Sequence, residues 1–169
     1  MNRTFFTTKE IVVTGVMAAT LEAAKISLSF LPNVELVTLL IILYTLFFGW
    51  KSIMAVFAFV GIECVVWGVG LWTVMYLYIW PLLVLLTLLL RRRRSMWVFA
   101  VLSALFGLFF GALSALPYLF IGGVPMAVTW WIAGIPYDMV HCVSNFILCM
   151  VLFSPLRAVL AKLKNGLEL

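Results

Sequence analysis

Apolar residues in this chain fall in long unbroken runs, with no two-residue alternation and few polar interruptions. Six runs each approach the ~20 residues that one bilayer crossing takes: 11–30, 34–50, 52–70, 72–90, 96–116 and 135–154. The punctuation between them is sharp. Pro32-Asn33 parts the first two runs, Arg91 to Arg94 stops the fourth, and Pro117 ends the fifth. Pro136 suits a first helical turn, and Ser154-Pro155 closes the sixth. The pattern predicts an all-α membrane protein, one integral domain over 1–169 with six transmembrane helices.

Composition reinforces this. AVILMFWYC make up 66% of the 169 residues and charged residues 10%; with Gly counted in place of Tyr the apolar share is about 70%, whereas soluble domains are about 45–50% apolar on that set and ~25% charged. Six spans would use on the order of 120 residues, which leaves no room for a nucleotide-binding or soluble catalytic domain. The net charge of +5 reflects eleven Lys+Arg against six Asp+Glu. Under a six-span count Arg3, Lys9, Lys51, Arg91 to Arg94, Arg157, Lys162 and Lys164 share one side, and the opposite connections carry no Lys or Arg. Cytoplasmic loops hold the basic excess, so both termini are expected inside and no nucleic-acid partner is implied. Cys64, Cys142 and Cys149 lie in apolar runs and offer no disulfide framework. No removable signal peptide is read at the N-terminus.

The stretch 117–136 is apolar enough to suggest a seventh span. Gly122, Gly123, Pro125 and Gly134 interrupt it, and it is expected to be an apolar outer loop with Trp130 and Trp131 at headgroup depth.

In lipid, helices approach closely where small residues line a face. Gly15, Ala19 and Ala23 make such a stripe on the first run, for packing inside the monomer or for docking to another membrane subunit. Ala100, Ser103, Ala104, Gly107, Gly111, Ser114 and Ala115 make a second on the fifth run, expected to pack internally. The second run is bulky all round and is expected to face lipid over much of its surface.

Ionisable groups within spans mark candidate sites. Glu22 and Lys25, at i and i+3, can pair with each other or flank a substrate group. Glu63 lies mid-span with Trp67 one turn on. Asp138, His141, Cys142, Asn145 and Cys149 share one face of the last run, where Asp138 can hydrogen-bond His141. Trp72, Tyr76, Tyr118 and Tyr137 sit at helix ends on the same outer side, either as an aromatic belt or as walls of a small-molecule pocket. No zinc spacing, GxSxG or P-loop occurs, so neither a metal nor a catalytic residue is assigned.

Three features together resemble the S-component of an energy-coupling-factor vitamin transporter. They are six short spans with both termini inside, the Ala19/Ala23 AxxxA pattern, and the Gly134-Ile-Pro-Tyr-Asp138-Met-Val-His141-Cys-Val-Ser-Asn145 run leading to Ser154-Pro155. The resemblance covers essentially the whole chain. It implies a substrate-binding subunit with no cofactor, in the plasma membrane of a prokaryote. Such a subunit docks on a transmembrane coupling subunit driven by two ATPases and topples to release its substrate inward. It implies that Gly15, Ala19 and Ala23 face that partner, and that Glu63, Trp67, Trp72, Tyr76, Tyr118, Tyr137, Asp138, His141 and Asn145 line or brace the substrate site. Phe5 to Glu10 and Leu31 to Leu36 are most similar to the small lactobacillar components that bind cobalamin. Two other functions fit the polar residues: a proton-coupled secondary transporter using Glu22, Glu63 or Asp138 as relay, and an intramembrane enzyme using Asp138 and His141.

Overall fold

The computed structural model describes residues 7–93 and 95–167; Arg3, Phe5 and Arg94 fall outside them. The described chain is helical, with no strand. In order it forms α1 (Thr8–Ser27), α2 (Val37–Phe48), a 3₁₀ turn (Gly49–Lys51), α3 (Ser52–Trp67), α4 (Leu71–Leu90), α5 (Met96–Leu108), α6 (Phe110–Ser114) and α7 (Leu116–Leu167). Three stretches are long and apolar enough to cross a bilayer: Val37–Trp67 through its turn, Leu71–Leu90 and Leu116–Gly166.

Local chemistry sets the boundaries. Thr7 and Glu10 form a reciprocal capping box that starts α1. Gly49 at φ 61° ends α2, a backbone state that favours glycine. Lys51 pairs with Glu10 at one end of the α1–α3 pair and Lys25 pairs with Glu63 near the other, so α1 and α3 run in the same direction. The basic residues collect at the first of these ends, where Lys164 donates to the Phe47 carbonyl at 2.7 Å and Arg91 to Arg93 share a cavity with Arg157.

Three expectations are corrected. The second run does not face lipid. Val37, Thr38, Leu39, Ile41, Ile42, Leu43, Tyr44 and Thr45 are all buried, and α2 packs against α1, α4 and α7. A bulky helix is as well matched to a protein core as to acyl chains, and its neighbours decide between them. The fifth run is not one helix. It breaks at Phe109, leaving α6 as a short separate piece.

The stretch 117–136 is helical rather than a loop. Only Gly122 and Gly123 leave helical geometry, with Gly123 at φ 70°. Pro125 falls in the first turn after that break, where its missing N–H is not needed, and Pro136 is carried inside the helix. A short arm over 116–121 folds back so that Tyr118 stacks on Trp130 at 4.2 Å. The long arm, 124–167, is on the order of 65 Å at 1.5 Å per residue, about twice the hydrocarbon thickness of a bilayer.

The α5 stripe packs internally, as expected. Ala100, Ser103 and Gly107 are buried, and α5 makes its main packing against α7. A Cβ on Gly107 would lie 2.9 Å from the His141 carbonyl group, so glycine is what allows that approach.

Candidate functional site

Two polar clusters lie on either side of one cavity. The first joins α1, α3 and α4. Lys25 does not pair with Glu22 as its spacing allows; it forms an ion pair with Glu63 across to α3. Glu22 instead accepts from the Trp67 indole N–H at 3.3 Å. The Lys25 ammonium lies 5.6 Å from the Trp67 ring centre, 6.0 Å from Trp72 and 5.5 Å from Tyr76. Three aromatic faces and one carboxylate thus hold a single cation.

The second cluster ties the α1–α2 linker to α7. His141 Nε2 lies 3.1 Å from Glu35 Oε1, and the Glu35 carboxylate also accepts from the Thr38 N–H at 2.8 Å and from its hydroxyl, capping α2. Ser144 donates to the Asn33 carbonyl at 3.0 Å. Burial opposes ionisation of Glu35, but the His141 and Thr38 hydrogen bonds outweigh it and hold the carboxyl below its ordinary range. The expected Asp138–His141 hydrogen bond is absent. Asp138 accepts the Gly111 N–H at 2.9 Å instead. The break at Phe109 frees the first amides of α6, and Asp138 caps one of them.

Between the clusters is a cavity of about 260 Å³. Lys25, Tyr76, Trp80, Phe110, Glu35 and His141 are in its lining, and the linker over 28–35 forms its mouth. Trp72, Tyr76 and Trp80 recur every fourth residue on α4, with adjacent rings 5.4 Å apart. Trp80 adds its ring to the wall; the side chain is otherwise buried, and its indole N–H has no partner.

Among the residues read from sequence, Lys25, Tyr76 and His141 line this cavity. Glu63 and Trp72 stand behind it, Glu63 through Lys25 and Trp72 through Tyr76. Asp138 and Asn145 are buried braces between α7 and the α5–α6 region, Asn145 donating to the Ser103 carbonyl at 3.4 Å. Trp67 borders the first cluster. Tyr118 is taken up by its stack on Trp130, and Tyr137 is exposed; neither lines the cavity. Glu35, Trp80 and Phe110 were not assigned from sequence. The four-residue spacing from Tyr76 was the available signal for Trp80, whereas Glu35 had none, because its partner lies far along the chain.

The stripe of Gly15, Ala19 and Ala23 is exposed along its length, and nothing lies within 4 Å of where a Gly15 Cβ would be. Exposed Ile11, Val12, Val16 and Ile26 are its apolar neighbours on α1. Among the described residues no group of three His, Cys, Asp or Glu gathers as a metal site.

Comparison of the chain with protein-family models, curated proteins and solved structures returns no match.

Proposed function

We propose that the chain is the substrate-binding S-component of an ATP-driven energy-coupling-factor vitamin transporter. In this reading it sits in a prokaryotic plasma membrane as six spans with both termini cytoplasmic. The carrying observation is the uncovered α1 stripe: a bundle that buries its other small-residue stripe leaves this one open to a coupling subunit. The basic end of the bundle is then the cytoplasmic end, and the cavity opens on the outer side.

The cavity supplies an aromatic wall with a few convergent polar groups, Lys25, Glu35 and His141, the usual make-up of a small-molecule site. Cobalamin is the substrate to which the resemblance points. Release of the linker from α7, breaking the Glu35–His141 and Asn33–Ser144 contacts, would widen the cavity for a corrin macrocycle. A small planar vitamin fits with less movement. The test is to purify the protein, extract any bound small molecule and identify it by mass spectrometry, with corrinoid absorbance as a direct check. A bound vitamin supports the reading; a protein that emerges empty and binds no B vitamin overturns it.

One observation favours a second reading, a proton-coupled secondary transporter. Glu22 and Glu63 belong to one cluster around Trp67 and Lys25, and one oxygen of each, Glu22 Oε2 and Glu63 Oε1, is buried without a donor. A proton shared between them would satisfy both. Uptake into vesicles that hold a proton gradient and no ATPase separates this reading from the first. The enzyme reading has no corresponding geometry, since Asp138 and His141 each bond elsewhere.

A further inference from the structure

Four arginines meet at the basic end of the bundle. Arg91, Arg92 and Arg93 follow the end of α4, and Arg157 comes from the last third of α7. All four line one open cavity of about 460 Å³. Its lining is otherwise apolar and includes Phe99 and Phe153, whose rings stack at 5.5 Å.

The charge there is uncompensated among the described residues. All five described carboxylates are engaged elsewhere: Glu10 with Lys51, Glu22 with Trp67, Glu35 with His141, Glu63 with Lys25, and Asp138 with the Gly111 amide. Topology alone accounts for an arginine run after a span. It does not account for Arg157 joining that run over an aromatic floor.

We infer that this cavity binds the phosphate of an anionic phospholipid, with an acyl chain laid against the apolar floor that Leu46 and Phe47 present over the buried Phe99–Phe153 pair. Guanidinium groups hold phosphate oxygens in a bidentate fork, and basic pockets at the cytoplasmic ends of membrane helices take anionic lipid headgroups. The apolar floor distinguishes a lipid from free phosphate, which gains nothing from it. This inference rests on the bilayer reading of the helices and is independent of which solute the outer cavity takes.

The test is native mass spectrometry of the full chain in neutral detergent, titrated with phosphatidylglycerol, phosphatidylcholine or inorganic phosphate. One phosphatidylglycerol should be retained, with phosphatidylcholine and phosphate much weaker. Near a membrane surface one basic residue is worth about 1 kcal/mol, or about fivefold. Arg157→Gln should therefore weaken retention about fivefold and Arg92→Gln/Arg157→Gln about 25-fold. Lys162→Gln, the same charge change elsewhere on α7, should have little effect, and Arg157→Lys, which keeps the charge and loses the fork, should fall between the parent protein and Arg157→Gln. Equal losses in Arg157→Gln and Lys162→Gln would mean diffuse surface charge and overturn the site. Equal retention of phosphatidylcholine, or full displacement of phosphatidylglycerol by matched phosphate, would overturn the lipid assignment.

Discussion

Two helices carry the same signature and meet opposite fates. On α5, Ala100, Ser103 and Gly107 are buried against α7, and a Cβ on Gly107 would be 2.9 Å from a backbone carbonyl group. On α1, Gly15, Ala19 and Ala23 are exposed, and the space beside Gly15 is open. A small-residue stripe states how closely a helix can be approached, not what approaches it. The difference lies in what faces each stripe. Helix α7 brings Asp138 to the Gly111 amide and Asn145 to the Ser103 carbonyl, so closeness there also satisfies polar groups. Around the α1 stripe the neighbours are exposed aliphatic residues and no such anchors.

The comparison breaks most visibly at Gly107. Gly107→Leu has no room against the His141 backbone, and the expected outcome is loss of a monodisperse protein on gel filtration. Gly107→Ala should fold with about 1–3 kcal/mol less stability, read by thermal unfolding in detergent.

The Glu35–His141 strap, held by the same buried face of α7, comes next. Glu35→Gln removes a charged acceptor and should cost about 1–3 kcal/mol locally, measured as faster amide exchange over residues 28–36. The pH dependence has a definite sign. Glu35 titrates below its ordinary value of 4.5 because the His141 and Thr38 hydrogen bonds outweigh its burial. Its stabilising contribution is therefore fully present above that ordinary value and is lost as pH falls through the lowered one. Protection of the linker should hold from neutral pH down to about 4.5 and drop below it.

Trp80→Phe trims the buried indole to a single ring and removes its unpartnered N–H. The cavity left in the core should cost about 1–3 kcal/mol, read by thermal unfolding in detergent. The smallest stability effect belongs to the exposed stripe. Ala19→Leu should alter unfolding by no more than about 0.5 kcal/mol, the reverse of Gly107.

Much of this was legible in the pattern of residues. The apolar runs located the helices, the α5 stripe announced its packing, and the spacing of Asp138, His141, Asn145 and Cys149 gave a face that is buried. The burial of α2 was not legible, because a helix that is bulky all round looks the same beside acyl chains as beside other helices. Nor was the continuity of α7, since Gly122-Gly123 does break the helix while Pro125 and Pro136, which look like further breaks, do not. The polar pairings failed for one reason. Spacing offered Glu22–Lys25 and Asp138–His141 along single helices, and the structure took Lys25–Glu63 and His141–Glu35 between elements. Sequence periodicity reports neighbours on one helix and is blind to the facing one.

We propose that a coupling subunit covers the exposed α1 stripe. The most direct measurement is vitamin binding and ATP-driven uptake for Ala19→Leu/Ala23→Leu, reconstituted with the coupling subunit and its ATPases. The account predicts binding within about twofold of the parent protein, with uptake and co-purification of the coupling subunit lost. Uptake that survives unchanged, or binding and folding that fail together with uptake, would contradict it.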